Sequence, residues 1–299
     1  IADPYGKLEA KEYKNLLGEM AKKDFPDGFC KTEKITGKSD LYTYFYLRGL
    51  RLLNGQGVHT FICSNSWLDA GYGTWLQKFL LENCHIRFII DNHARRSFAN
   101  ADVNTIISII DAPQPKAKTN TLGKETARFV AFKRPFEEVV FTENMLEIDN
   151  AKIITKNDRF RIYPLTQTAL KELGMEYDED VGDGQYAGEK WGGRFLRAPD
   201  IYFAILQKNR DRLVNLSSCC TFGGYIHDNS TGNAFPSVHF LRSMKDVESI
   251  RLEKTTSGVV KYGVQVSKFN MIKADLLFPR TLRDRHLILL NSGGVYGKE

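Results

Sequence analysis

The sequence predicts an α/β fold, because segments of helical and strand character alternate between residues 40 and 110. Residues 41–53 and 73–83 place apolar side chains at helical spacing. Three short apolar runs of strand type accompany them: VHTFIC at 58–63, IRFIID at 86–91 and VNTIISII at 103–110. Helices and strands that alternate in this way pack as a sheet with helices against it, so the block corresponds to half of an α/β domain.

The first helix of this block has recognisable boundaries. Ser39 or Asp40 is suited to cap its amino terminus, and NGQG at 54–57 ends it. The polar corner Ser64-Asn65-Ser66 follows the first predicted strand. It either shapes a pocket at the edge of the sheet or caps the next helix. Trp67 and Trp75 are expected in the core.

A polar loop, DNHARRSFANAD at 91–102, joins the last two predicted strands and contains one aromatic residue, Phe98. Loops on a rigid scaffold commonly carry binding and catalytic residues, so we expect a functional site here. His93, Arg95 and Arg96 lie beside Phe98 and could hold the phosphates around a nucleotide. The alternative is a solvated loop.

Over the whole chain, the pattern predicts three regions. Residues 1–135 form the α/β half-domain, which contains the block and a polar helix at 8–23. Residues 136–200 form a β-rich extension that ends in an acidic, glycine-rich linker, YDEDVGDGQYAGEK. Residues 201–299 form a smaller mixed α/β or β-rich domain, and one helix over 191–216 leads into it.

The composition is that of an ordinary globular protein. Apolar residues make up 42% and charged residues 26% of the 299 positions. No uninterrupted apolar run approaches the roughly 18–20 residues that span a bilayer, so we expect no membrane partner and a cytoplasmic location. Five cysteines without CxxC spacing predict reduced thiols and no metal site.

The net charge of +6 is confined to the last third of the chain. Residues 201–299 hold 14 Lys and Arg against 8 Asp and Glu, whereas residues 1–200 are balanced. This asymmetry favours a module that faces a polyanion. Arg280, Arg283 and Arg285 form its tightest cluster, which either meets DNA phosphates, or reads guanine, or is a solvated edge.

Asp3-Pro4-Tyr5 opens the chain after two apolar residues that could end a strand. A carboxylate, a fixed carbonyl and a flat ring are the groups that hold the exocyclic amine of a flipped base. A type I turn with proline at its second position is the alternative.

Several linked motifs closely resemble the catalytic half of N6-adenine DNA methyltransferases, especially those of large restriction–modification proteins of type IIG. The matching segments are Asp3-Pro4-Tyr5 at a strand end, Asp40-Leu41-Tyr42 at a helix start, Ser64-Asn65-Ser66-Trp67-Leu68 at a strand exit, and Phe98 before Val103-Asn104-Thr105. The segment WGGRFLRAPDIYFAIL also resembles the connection between catalytic and target-recognition domains in these proteins.

The resemblance implies the carboxyl-terminal half of a Rossmann-like methyltransferase sheet, followed by part of a target-recognition domain. It implies that Asp3 and the Pro4 carbonyl accept hydrogen bonds from the adenine amino group, and that Tyr5 and Phe98 stack on the flipped base. The implied partner is duplex DNA, and an endonuclease domain is implied as a possible part of the same parent chain. This chain has one proline where the family motif has two.

The resemblance also implies S-adenosylmethionine as the methyl donor. In the family its glycine-rich loop precedes the catalytic motif, so we expect that loop to lie outside this chain and the fragment by itself to be inactive. The alternative to a methyltransferase is a non-catalytic DNA-recognition module or subunit of such a system.

Overall fold

The computed structural model describes residues 6, 8–29, 35–93, 103–115, 121–177, 184–209, 212–214, 237–241, 247, 250–257, 259–263, 275–277 and 288–297. The chain divides into two compact units, residues 1–205 and 206–299.

Two helices precede the first strand of unit 1, α1 (Ala10–Asp24) and α2 (Leu41–Arg51). A third helix, α3 (Thr74–Asn83), lies between the first two strands. The predicted cap of α2 is Asp40, whose Oδ1 accepts a hydrogen bond of 2.9 Å from the amide of Leu41. This bond satisfies one of the amide groups that the first turn of a helix leaves without a partner.

Unit 1 is built on a six-stranded mixed sheet with the order β1-β3-β2-β4-β6-β5. Its strands are β1 (Val58–Ser64), β2 (Ile86–Asn92), β3 (Thr105–Asp111), β4 (Thr126–Phe132), β5 (Thr155–Lys156) and β6 (Phe160–Thr166). β3 is antiparallel to both β1 and β2, β4 is parallel to β2, and β6 is antiparallel to β4 and β5. The α/β prediction is confirmed, whereas the half-Rossmann assignment stays a prediction.

The remaining elements of unit 1 are short. They are α4 (Phe136–Val139), α5 (Thr142–Asn150), α6 (Gln167–Glu172), the hairpin of β7 (Met175–Tyr177) and β8 (Gly184–Tyr186), a π-helical segment (Gly192–Arg197) and α7 (Asp200–Asn209). The single helix expected over 191–216 is thus broken before α7. Pro199 lies at this break, and proline cannot donate the backbone hydrogen bond that a continuous helix requires.

Both faces of the sheet are covered. One buried cluster joins α2 and α3 to one face through large side chains, which include Tyr46, Trp67 and Phe79. A second cluster packs Val139 and Ile148, from α4 and α5, on the other face. Because β4 is central, it is buried nearly continuously, as its apolar sequence predicts.

The acidic, glycine-rich segment belongs to unit 1. Within it, Tyr186 is buried, and its hydroxyl donates a hydrogen bond of 2.9 Å to Oε1 of Gln77. The units divide after residue 205. The described part of this segment is therefore packed on α3 and does not link the two units.

Unit 2 contains short strands around a small core. They are β9 (Ser237–Leu241), β10 (Val259–Gly263), β11 (Leu276–Leu277), β12 (Leu289–Leu290) and β13 (Tyr296–Gly297). β9 pairs antiparallel with β10 and parallel with β13, and β11 pairs with β12. Leu252, Leu289 and Val295 are fully buried in its core. Across the described parts of both units, none of the helices is long and apolar enough to cross a membrane.

We predict that Gly73→Ala destabilises unit 1. A Cβ at Gly73 would overlap the backbone carbonyl of Trp67, and backbone cannot move aside as a flexible side chain can. The expected loss is about 1–3 kcal/mol of unfolding free energy, measured by urea denaturation. Gly71→Ala is the matched control, because a Cβ there meets nothing within 4 Å. Equal losses for both variants would contradict this packing.

His59 gives a second prediction, on pH. His59 lies in β1, and its ring packs on the rings of Tyr46 and Phe61. Burial lowers the pKa of His59 below the ordinary value of 6.5. The unfolded chain therefore binds the proton more readily, and stability falls as the pH falls below 6.5 towards the folded pKa. His59→Phe should flatten the unfolding free energy between about pH 7.5 and about pH 5. Parallel curves for the two proteins would refute it.

Candidate functional site

One edge of the sheet gathers the ends of its central strands. Because β1, β2 and β4 run in the same direction, their carboxyl ends share this edge, and the antiparallel β3 begins there. Ligands of open α/β sheets bind beyond the carboxyl ends of the strands. The loop that contains Phe98 leaves this edge after His93 and returns to it at Thr105.

The serine corner after β1 is a helix cap at this edge. Oγ of Ser64 accepts a hydrogen bond of 3.3 Å from the amide of Ser66 and lies 2.9 Å from its hydroxyl oxygen. The amide of Asn65 donates to the carbonyl of Asn104, at 3.0 Å, so the corner is fastened to the start of β3. The corner thus caps a short 3₁₀ turn, Asn65–Leu68, whereas the predicted helix α3 begins at Thr74 with Gly73 as its N-cap.

Both tryptophans near the corner lie in the core, as predicted. Trp67 is fully buried, with its ring 5.5 Å from Tyr46 and 5.8 Å from Trp191, and Trp75 is 5% exposed. The corner is therefore held from below by aromatic packing, which limits its movement.

A buried carboxylate lies at the end of β2. Asp91 is 6% exposed, and its Oδ2 lies 4.0 Å from Nη1 of Arg197 and 3.5 Å from Nε2 of His93. A buried carboxylate is costly without a cationic or hydrogen-bonding partner. The guanidinium of Arg197 supplies such a partner from the far end of the π-helical segment.

Arg197 also pairs with Asp69, which follows the serine corner. Oδ1 of Asp69 accepts a second hydrogen bond, of 2.8 Å, from the amide of Gly193. A Cβ on Gly192 would lie 2.6 Å from both Nη1 of Arg197 and Oδ2 of Asp69, so any side chain there would displace the ends of these two side chains. Asp69, Asp91 and Arg197, named here the edge triad, thus fasten the π-helical segment to the ends of β1 and β2.

A set of hydroxyl and thiol groups lies beneath the edge. The hydroxyl of Tyr46 lies 2.9 Å from Oγ of Ser108 and 3.4 Å from Sγ of Cys63. Burial raises the pKa of Cys63 to about 11 and raises that of Tyr46 well above its ordinary value. Cys63 is therefore a protonated thiol at neutral pH and is unsuited to nucleophilic attack.

Two short glycine pairs, Gly55-Gln56-Gly57 before β1 and Gly71-Tyr72-Gly73 before α3, form turns. Gly57 closes a turn through a 3.0 Å hydrogen bond to the carbonyl of Asn54, and Gly73 packs on the backbone of Trp67. Their close contacts are with protein atoms. Among the residues that the structure describes, no group of three or more His, Cys, Asp or Glu could hold a metal ion.

Most of the predicted site residues lie outside the described ranges. These are Asp3, Pro4, Tyr5, Arg95, Arg96, Phe98, Arg280, Arg283 and Arg285. His93 is described, and it lies beside the buried carboxylate of Asp91. Its predicted role towards phosphates stays a prediction.

The sequence analysis missed the edge triad. A polar residue at the end of the apolar run IRFIID was one available signal, because it places a carboxylate where a strand leaves the core. Its partner lies 106 positions later in the chain, and no local pattern connects two residues so far apart.

Comparison with known proteins confirms the resemblance. Residues 4–98 match the family model of the Eco57I restriction-modification methylase. The chain is 38% identical over 66 residues to type II methyltransferase M.BstVI of Geobacillus stearothermophilus, and 32% identical over 82 residues to type II methyltransferase M.XhoI of Xanthomonas vasicola. These alignments cover 22% and 27% of this chain, but only 12% and 15% of those proteins.

Two solved structures are similar at a lower level. The match to a modification subunit of a putative type I restriction enzyme from Vibrio vulnificus covers 55% of this chain and 33% of that subunit, with a TM-score of 0.35 and 15% identity. The match to the type IIG restriction endonuclease BpuSI covers 88% of this chain and 29% of BpuSI, with a TM-score of 0.46 and 11% identity.

We predict that Arg197→Gln destabilises unit 1 by about 1–3 kcal/mol, because it leaves the carboxylate of Asp91 buried without a cation. Arg48→Gln is the matched control. Arg48 is an exposed partner of Asp24, so its loss should cost at most about 1 kcal/mol. Urea denaturation of both variants checks the difference, and equal small effects would count against the triad.

Proposed function

We propose that this chain is the methyl-transfer half of an adenine-specific DNA methyltransferase, because residues 4–98 match the family model of the Eco57I restriction-modification methylase. The reaction would place a methyl group on N6 of adenine in duplex DNA, as part of a restriction–modification system. The match to the family model over these residues carries the proposal. The M.BstVI and M.XhoI alignments support it.

The described geometry is compatible with this role. Methylation of a base inside a duplex requires the base to leave the stack and enter a pocket. The loop of residues 93–104 begins and ends at the edge of the sheet where α/β proteins bind ligands. The edge triad and the serine corner hold both neighbouring strand ends, so the loop is carried by a rigid base.

We assign the chemistry to the residues of the two family motifs. Asp3 and the carbonyl of Pro4 would accept hydrogen bonds from the adenine amino group, which leaves lone-pair density on its nitrogen. Tyr5 and Phe98 would stack on the flipped base. Catalysis of this kind depends mainly on positioning, and the unreactive thiol of Cys63 is consistent with a route without a cysteine intermediate.

S-adenosylmethionine would be the methyl donor, and it supplies the transferred methyl group. His93, Arg95 and Arg96 would contact phosphates around the flipped nucleotide, and Arg280, Arg283 and Arg285 would contact DNA from the second unit. An endonuclease activity in the same parent protein is part of the proposal.

The test is expression of the complete parent gene, since the fragment by itself is expected to be inactive, in a host without DNA methylation, followed by sequencing that detects modified bases. We expect N6-methyladenine at one recurring sequence, and loss of it in Asp3→Ala. Methylated cytosine would refute the adenine assignment. Salt-dependent DNA binding without any methylation would favour the alternative of a recognition module.

Phe98→Ala should slow methyl transfer by about 5- to 150-fold, which corresponds to the ~1–3 kcal/mol of a base–aromatic stack. Phe98→Tyr should retain most of the rate, because it keeps the ring. Phe141→Ala is the matched control, since Phe141 is a 61% exposed phenylalanine on the segment before α5. If Phe98→Ala and the control transfer methyl groups at equal rates, Phe98 does not stack on the base.

A further inference from the structure

A cluster of positive charges lies on the same face of the sheet as the buried carboxylate of Asp91. The register pairs Asp91 with Ala131, Ala131 with Arg161, and Arg161 with Lys156 across three neighbouring strands. Residues paired directly across strands project from the same face. The row therefore leads from the candidate site to Arg161 and Lys156.

Four cations gather at the end of this row: Lys133, Lys156, Arg159 and Arg161, which we name the basic edge. The amide of Lys133 donates to the carbonyl of Arg159 at 2.8 Å, and Nζ of Lys133 donates to the carbonyl of Asn157 at 3.0 Å. These bonds hold the turn before β6 against the end of β4. Lys133, Lys156 and Arg159 are exposed, whereas Arg161 is 5% exposed.

The carboxylates at the basic edge do not balance its charge. Nζ of Lys133 and Nζ of Lys156 each lie 3.8 Å from Oδ2 of Asp200, and Nη1 of Arg161 lies 2.9 Å from Oδ1. Three cations thus share one carboxylate, and their proximity lowers the pKa of Asp200. With Asp158 in the same turn, four cations meet two carboxylates, which leaves a local charge of +2.

Buried contacts hold the positive charge of Arg161 in place at the basic edge. Its Nη2 donates to the carbonyl of Leu196 at 2.6 Å, and its guanidinium lies 4.6 Å from the ring centre of Phe203. The first contact comes from the π-helical segment and the second from α7. Arg161 therefore joins the π-helical segment and α7 to the sheet, while the lysines beside it face solvent.

We propose that the basic edge contacts the phosphates of duplex DNA next to the flipped base. This inference rests on the proposed function and extends the DNA-binding surface beyond residues 4–98. Neighbouring strands lie about 4.8 Å apart, so Arg161 and Lys156 lie about 10 and 14 Å from Asp91 across the sheet. At about 3.4 Å per nucleotide along the duplex axis, this spacing reaches phosphates three to four base pairs from the target.

The test is the salt dependence of binding to a fluorescent duplex of mixed sequence, measured by anisotropy with the full chain. Phosphate contacts are independent of sequence, so the target site need not be known. Each lost contact lowers the slope of log affinity against log salt by about 0.9. Lys133→Glu/Lys156→Glu should lower the slope by about 1.8 and weaken binding at low salt.

The matched control is Lys124→Glu/Lys152→Glu. Both lysines are exposed, and they precede β4 and β5, at the opposite edge of the same sheet. The control makes the same change in net charge, so it should leave the slope close to that of the parent chain. Urea denaturation of both variants checks that each is folded, and Lys133→Gln/Lys156→Gln repeats the test without added negative charge.

The outcomes separate the two proposals. If the parent chain binds DNA with a steep salt slope but both double variants lower it equally, or neither does, the basic edge is refuted and the proposed function stands. If the parent chain shows no salt-dependent binding, both proposals fail. A lower salt slope in the Lys133 and Lys156 variants, with no change in the control variant, supports the basic edge.

Discussion

The antiparallel strand β3, inserted between the parallel strands β1 and β2, is the constraint on which the described site depends. Its pairing with both neighbours reaches the edge, where Thr105 faces Ser64 and Ile106 faces Asp91. A parallel strand in this place would carry its amino end to the opposite edge. Because β3 runs the other way, the loop between β2 and β3 must begin and end beside the serine corner.

Two charged residues on one face of the sheet, Asp91 and Arg161, determine where the neighbouring segments of unit 1 are held. Asp91 and Arg161 are both nearly buried, and each needs a partner of opposite charge or a hydrogen bond. Arg197 and Asp200 provide these partners from two neighbouring segments, the π-helical turn and α7. Residues 192–203 are therefore fixed to the strand ends by ion pairs as well as by aromatic packing.

This arrangement connects the two proposals about DNA. The family match ends at residue 98, whereas the basic edge is formed by residues 133–161. Asp91 lies on the row of cross-strand pairs that joins both regions, at the exit to the loop of Phe98. A flipped base at that loop and a phosphate at the basic edge would thus be held by one sheet, whose strands keep their spacing fixed.

The sequence by itself determined the elements of residues 40–110 and their likeness to restriction–modification methylases, because apolar periodicity, caps and linked motifs are local signals. Asp40 was predicted as one of two caps, and Trp67 and Trp75 as core residues, from their immediate neighbours. Only the tertiary structure decided that the acidic segment packs on α3, and that Asp69, Asp91 and Arg197 meet. Such pairs form because buried charges require partners, and a partner's position depends on how distant strands are paired, which no local pattern contains.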